Sequence, residues 1–268
     1  MSAIIGIIAA LAVIVLAALS DGDPIKSLFS VTAVLIVFGG TLTALLTQFG
    51  FGPLLAGFAR FKWLIKPPLV DLYAFIDQVA NWSNLARSQG VLALEAELVN
   101  VTDPFLKRGL QMIIDNTSQD DLYATLTVLA EKSSREEHVS GEIWEAGGGY
   151  LPTIGVMGAV LGLIHVMMRL DHPAELGEGI ATAFVATIYG VGGANLIFLP
   201  VGQRLLGLAE ARERERQVMI QGFILLSEGK PGILIRQGLM SFLKEKKEKA
   251  NADAQGEGAM GEPMAEAA

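Results

Sequence analysis

Few side chains in the apolar stretches of this 268-residue chain could handle an ion or a proton. Thr182 and Thr187 offer hydroxyl groups, and His165 offers an imidazole. Pro152 and Pro200 each remove a backbone donor and can kink a helix. A threonine in such a stretch often bonds a carbonyl one turn back or a neighbouring helix, and a lone histidine is more often hydrogen-bonded than a proton relay. The role of these residues therefore depends on the elements that carry them.

Composition excludes several kinds of chemistry. The chain has no cysteine, so it has no Cys-ligated zinc site, iron–sulfur cluster or thiol nucleophile. It also has no P-loop, no His-Glu-x-x-His and no Gly-x-Ser-x-Gly motif. We therefore expect no enzyme activity, no catalytic or metal-binding residues and no cofactor. The net charge of −8 argues against nucleic acid as a partner.

The apolar stretches predict membrane helices. Four stretches contain no Asp, Glu, Lys or Arg, namely Ser2–Ser20, Ser27–Ala59, Ala146–Met168 and Gly179–Gln203. Each is long enough to cross a hydrocarbon core of about 30 Å at about 1.5 Å per residue. A spanning segment must satisfy its own backbone polar groups. We therefore predict an all-α membrane protein with four transmembrane helices in two hairpins and a cytoplasmic helical domain.

The charge pattern also sets the predicted boundaries and orientation. We expect a first transmembrane hairpin at 1–49, a cytoplasmic loop domain at 50–149, a second hairpin at 150–203, a helical tail at 204–243 and a disordered C-terminus at 244–268. The loop and the tail hold 18 of the 20 Lys and Arg residues, which places both termini in the cytoplasm. Ala17–Ser20 resembles a signal-peptide cleavage site, but no basic residue precedes it.

Local signals predict helices in the loop and close packing between two spans. Asp103-Pro104 is typical of a helix N-cap followed by proline at the first helical position, and Ser118 with Asp121 resembles a capping box. Helical spacing follows at Leu122, Leu126 and Leu129. Gly155, Gly158 and Gly162 share one face of the third span, where glycine permits close approach of another helix.

The spans contain no Asp, Glu, Lys or Arg and only one titratable side chain, His165, although ionisable groups are the usual functional candidates inside a membrane. Alone, this chain cannot carry a charge across a bilayer. If it conducts, a partner must supply the ionisable group.

The third and fourth spans carry the most specific pattern. The third reads LPTIGVMGAVLGLIH from Leu151, and the fourth reads IATAFVATIYGVGGANLIFLP from Ile180. Together with the span order, the loop sizes and Asp115-Asn116, this pattern closely resembles the MotA family, the A subunits of bacterial flagellar stators. The resemblance covers nearly the whole chain and stops near Leu243. It implies a multi-pass protein of the bacterial inner membrane that forms a homopentamer.

The resemblance also implies partners and a mechanism. A MotB-like subunit would supply the missing transmembrane Asp, and ion flow would be coupled to rotation against the rotor protein FliG. Pro152 and Pro200 match the two prolines that couple ion binding to motion in the family. Thr187 lies 13 residues before Pro200, where the family keeps a pore-facing threonine. Ala159 stands where sodium-driven members carry threonine, and because a hard cation needs several oxygen ligands, this favours protons.

Arg87 and Glu95 match the family's rotor-facing pair. On a continuous helix they would lie about 12 Å apart along the axis and about 80° apart around it, although Gly90 can break that helix. Without the resemblance, two such charges usually belong only to a solvated face.

Two alternatives to a stator subunit stay open at the level of sequence. An energiser of the ExbB/TolQ type, which drives outer-membrane processes, normally has three spans and begins outside, so the first hairpin argues against it. A standalone transporter or membrane enzyme is the other, and the absence of charges from the spans argues against that.

Overall fold

The computed structural model describes residues 2–20, 29–171 and 173–243. Its regular elements are all helical and contain no strand within these residues, which confirms the all-α prediction. The chain divides into two compact units, each built from two separate regions of sequence. Of the described residues, those within Met1–Pro68 and Ser134–Ala211 form the first unit, and those within Leu69–Ser133 and Arg212–Ala268 form the second.

The helices vary widely in length. In chain order they are α1 (Ser2–Ser20), α2 (Val31–Val34), α3 (Gly40–Phe49), α4 (Phe51–Ala59), α5 (Leu72–Gln89), α6 (Glu95–Leu98), α7 (Pro104–Ile114), α8 (Gln119–Met167), α9 (Pro173–Gly193), α10 (Leu199–Ser227) and α11 (Gly232–Leu243). Two π-helical turns join neighbouring helices, at Leu35–Gly39 and Ala194–Phe198. Short 3₁₀ turns lie at Arg60–Leu64 and Val91–Leu94.

Three helical runs among the described residues are long and apolar enough to cross a membrane, namely Val31–Phe49, Gln119–Met167 and Gly179–Ser227. A shorter apolar run, Ile4–Ala17, lies in α1. The helix α1 has 19 residues in all, close to the roughly 20 that a span needs. Four spans therefore fit the structure, and the third and fourth are parts of longer helices.

The third and fourth spans pack through small residues, as the glycine pattern predicts. A Cβ placed on Gly158 would lie 3.0 Å from the Cβ of Ala186, and one on Gly162 would lie 3.1 Å from the Cβ of Ala183. These distances are tighter than ordinary side-chain contacts, so only small residues let the two helices meet. The face that α8 turns toward α9 is thus set by residues with almost no side chain.

The second unit has an apolar core of its own. Phe75, Trp82, Leu110, Leu122 and Phe223 are each at most 2% exposed and belong to one cluster. The rings of Trp82 and Phe223 stack with centroids 6.4 Å apart. Burial of large aromatic and aliphatic side chains is the main favourable term in folding, so this cluster holds the unit together.

The predicted helix starts are confirmed. The carboxylate of Asp103 accepts from the backbone N–H groups of Phe105 and Leu106, with Pro104 in the first turn of α7. The hydroxyl of Ser118 accepts from the backbone N–H of Asp121 at 3.2 Å. These side chains satisfy donors that the first turn of a helix leaves unpaired.

The predicted domain boundaries stay a prediction. In the structure, residues 50–68 and 134–149 of the predicted loop group with the first unit, whereas the tail from residue 212 groups with the second. The predicted disordered C-terminus, 244–268, lies outside the described residues.

Candidate functional site

The register of α8 against α9 places two predicted ion-path residues at a similar depth. Gly158 contacts Ala186 and Gly162 contacts Ala183, so the two helices pack in an antiparallel arrangement. Ala159 and Thr187 therefore lie at the same depth of the helix pair. Both residues are half-buried. The structure thus places one hydroxyl and one methyl group at this depth.

The two hydroxyl groups of the fourth span make the bonds expected of threonine in an apolar helix. Thr187 donates to the carbonyl of Ala183, one turn back, at 3.3 Å. The hydroxyls of Thr182 and Ser30 lie 3.4 Å apart, which links the fourth span to the start of the second. The oxygen of Thr187 keeps its capacity to accept while it donates.

Pro152 and Pro200 lie toward the end of the third and fourth spans that is opposite to His165. Pro152 is half-buried inside α8, which continues through it as one helix. It cannot donate to the carbonyl of Gly148, which loses its usual helical partner. Pro200 is exposed and directly follows the first residue of α10, just after the π-helical turn. His165 is exposed near the end of α8, well beyond Ala159.

Asn195 is a polar residue of the fourth span to which the sequence patterns assigned no role. It is exposed and lies in the π-helical turn, and its Nδ2 donates to the carbonyl of Val191 at 2.9 Å. Asn195 lies between two contacts with α8, namely Gly190 with Gly155 and Leu199 with Gly148. It therefore lies near the depth of Pro152. The sequence did contain a signal for this residue, because a polar amide is unusual within a stretch that has no charged side chain.

The described part of both spans contains no Asp, Glu, Lys or Arg. No group of three or more His, Asp or Glu residues that could hold a metal ion occurs among the described residues. Within the described residues, the two spans therefore offer hydroxyl groups but no Asp, Glu, Lys or Arg side chain.

The second unit carries the predicted rotor-facing pair. Arg87 is exposed in the last turn of α5, which ends at Gln89, and Gly90 has a φ of +88° that favours glycine. Glu95 is exposed at the first position of α6. The possible helix break at Gly90 is therefore real, and the separation calculated for a continuous helix does not apply.

The segment that carries the pair also exposes apolar side chains. Leu92 is 70% exposed and Val99 is 85% exposed. Arg87 Nη1 donates to the carbonyl of Gly229 at 3.3 Å, beside a cavity of about 160 Å³ that Asn116 also lines. Charges interspersed with exposed apolar groups are typical of a protein-binding surface.

Comparison with known proteins identifies the family. Motility protein A of Bacillus subtilis is 32% identical over 268 residues, which is all of this chain and 99% of that protein. The chain belongs to the MotA family. The MotA/TolQ/ExbB proton channel family as a whole matches residues 97–218. Full-length similarity to motility proteins distinguishes this flagellar stator A subunit from the ExbB/TolQ energisers.

Solved structures agree with this assignment. The flagellar MotAB stator complex from Bacillus subtilis matches with a TM-score of 0.80 and 31% identity, over 90% of this chain and 96% of that one. The MotAB structure of C. jejuni matches with a TM-score of 0.81 and 27% identity, over 90% and 94%. The helical architecture of a MotA-family subunit is thus shared along nearly the whole chain.

Proposed function

We propose that this chain couples proton flow through a stator complex to rotation of the flagellar rotor. The observation that carries the proposal is the helix pair of α8 and α9, which aligns Thr187 with Ala159 in spans without a charged residue. Hydroxyl groups on such a surface can form hydrogen bonds, but they cannot balance the charge of an ion or take up and release a proton. A carboxylate from a partner subunit completes it.

The partner in this proposal is a MotB-like subunit with a transmembrane Asp. The related complexes from Bacillus subtilis and C. jejuni contain both A and B subunits, which supports an assembly of this kind. The A chains form a homopentamer around the partner helices. When the partner carboxylate gains or loses a proton, Pro152 and Pro200 allow the third and fourth spans to change shape in response. Two prolines suit this role because each removes a bond that would stiffen its helix.

The ion in this proposal is a proton. Ala159 brings no oxygen to the depth of Thr187, whereas a hard cation needs several oxygen ligands in one shell. A carboxylate in the partner is sufficient for a proton. One hydroxyl at Thr187 then serves as a hydrogen-bonding contact instead of one member of a cation cage.

The complex lies in the bacterial inner membrane with both chain termini in the cytoplasm. The positions of the Lys and Arg residues support this orientation, since cytoplasmic segments carry the excess of basic residues. Arg87 and Glu95 then lie on the cytoplasmic side, where they contact the rotor protein FliG.

The test is rotation of single motors in a strain whose only A subunit is this chain, expressed with its own B subunit. We expect rotation that stops on addition of a protonophore and does not change when sodium is replaced by potassium. Rotation that survives the protonophore but stops without sodium would show that the ion is sodium. The absence of a hydroxyl at Ala159 would then not indicate a proton-driven motor. A complex that inserts in the membrane but never supports rotation would contradict the coupling itself.

A further inference from the structure

Glu145 extends the ion-path face of α8 beyond Pro152. Glu145, Pro152 and Ala159 are spaced by seven residues, two turns of helix, so successive members drift by only about 20° around the axis. Glu145 lies about 10 Å along the axis from Pro152, at the rise of about 1.5 Å per residue. It is the first acidic residue met along this face from Ala159 toward the predicted cytoplasmic end.

Packing fixes the position of Glu145. A Cβ on Gly202 of α10 would lie 2.7 Å from the Cγ of Glu145 and 2.9 Å from its backbone nitrogen, so the two helices touch here. The preceding residue, Trp144, is buried, and its indole N–H donates to the carbonyl of Gly57 at 3.2 Å. The stem of Glu145 is therefore held against a glycine two residues after Pro200. This puts it on the predicted cytoplasmic side of both Pro152 and Pro200.

The carboxylate of Glu145 is not held by a polar contact within the described residues. It forms no hydrogen bond and no ion pair with any of them, and the residue is half-buried. A carboxylate that is positioned by packing but unpaired is available to exchange a proton. The exposed Glu142, one turn away on the same helix, lies about 60° around the axis from it.

We infer that Glu145 is the proton acceptor at the inner end of the ion path, an inference that rests on the proposed stator function. The carboxylic acid of the partner subunit releases its proton and becomes a carboxylate. The proton moves through water to the Glu145 carboxylate, which becomes a carboxylic acid. Glu145 then gives the proton to cytoplasmic water or buffer and is again a carboxylate. The partner's carboxylate takes up the next proton from the opposite side of the membrane, so each cycle carries one proton across and returns both groups to their starting forms.

The experiment compares motors driven by wild type, Glu145→Gln and the matched control Glu142→Gln, each with the native B subunit. Speed is measured with a small bead, where the rate of proton passage limits rotation, and torque is measured near stall, where it does not. We expect Glu145→Gln to lower the low-load speed per stator by at least about threefold while the stall torque stays near that of wild type. Glu142→Gln should match wild type in both.

Three further variants separate proton exchange from structure. Glu145→Asp keeps a carboxylate and Glu145→His keeps a group that titrates near neutral pH, so both should retain more low-load speed than Glu145→Gln. Glu145→Ala removes the carboxylate without adding bulk and should reproduce the slow low-load rotation. Equal speeds for Glu145→Gln, Glu145→Ala and wild type would overturn the inference, as would equal loss in Glu145→Gln and Glu142→Gln. Failure of the wild-type chain to rotate the motor would instead refute the proposed function.

Discussion

The backbone N–H of Val70 donates to both carboxylate oxygens of Glu215, at 3.2 Å to each. Val70 directly precedes Asp71, the N-cap of α5, and Glu215 lies in α10, so the contact fastens the start of one helix to the side of another. Burial raises the pKa of Glu215, and this outweighs the lowering effects of the Val70 hydrogen bond and of the nearby Arg212 and Arg216. The folded second unit therefore disfavours the charged form of this side chain.

Replacing Glu215 with Gln should make stability less dependent on pH. Since the folded pKa lies above the ordinary value of 4.5, the stability that Glu215 contributes is fully present below 4.5 and is lost as pH rises through the folded pKa. Glu215→Gln keeps an acceptor for Val70 and removes the charge, so we expect a higher melting temperature than wild type at mildly alkaline pH and a smaller difference toward pH 4.5. The measurement is the melting temperature of the purified complex, for wild type and Glu215→Gln, from pH 4.5 to mildly alkaline pH.

The control for this prediction is Glu131→Gln, which neutralises an exposed carboxylate of the same unit. It should leave the pH dependence of the melting temperature unchanged. A Glu215→Gln variant that melts below wild type at mildly alkaline pH would mean that the attraction of Arg212 and Arg216 outweighs burial.

A single methyl group should disrupt the pairing of the third and fourth spans. A Cβ on Gly190 would lie 2.6 Å from the carbonyl oxygen of Leu151 and 2.9 Å from the Cα of Gly155, and both are backbone atoms that cannot move aside. We expect Gly190→Ala to destabilise the protein by about 1–3 kcal/mol, as overpacking does. Gly192→Ala is the matched control, because no atom lies within 4 Å of a Cβ at that position. Similar melting temperatures for the two variants would contradict the close approach.

Local features of the fold could be read from the sequence because each depends on a few neighbouring residues. Asp103 and Ser118 cap helices with their own side chains, and the glycine spacing at Gly155, Gly158 and Gly162 defines a helix face without knowledge of the partner helix. The same holds for the end of α5 at Gly90, whose positive φ suits glycine.

Features that depend on distant contacts could not be read in this way. The π-helical turns at Leu35–Gly39 and Ala194–Phe198 occur within continuous apolar runs that give no local sign of an added residue. The grouping of the tail with the loop depends on pairs such as Phe223 with Phe75 and Trp82, which lie far apart in sequence. Glu145 stood just outside the charge-free stretch, and its relation to Gly202 required the packing of α8 on α10.

The hydroxyl of Thr187 provides a test of the ion path that leaves the helix intact. Thr187→Val has nearly the same shape and the same branching at Cβ, but it removes the oxygen that lies level with Ala159. We expect rotation speed at low load to fall several-fold, in keeping with the loss of one positioned hydrogen-bonding group. Thr187→Ser restores the hydroxyl and should recover most of the speed. If Thr187→Val rotates like wild type, the hydroxyl serves only its bond to Ala183.

Charge reversal at Arg87 and Glu95 should weaken torque without affecting proton passage. Both side chains are exposed, and neither forms an ion pair with another described residue. Arg87→Glu removes only the exposed hydrogen bond to the carbonyl of Gly229, so both variants should insert at wild-type levels. Each reversal places like charges against a complementary partner surface, which costs affinity and specificity. We expect stall torque per stator to fall markedly in both variants, whereas proton flux through the complex stays at the wild-type level. Arg108→Glu reverses another exposed charge of the same unit and should leave torque unchanged, and an equal loss in all three variants would show that net charge, rather than this pair, controls contact with the rotor.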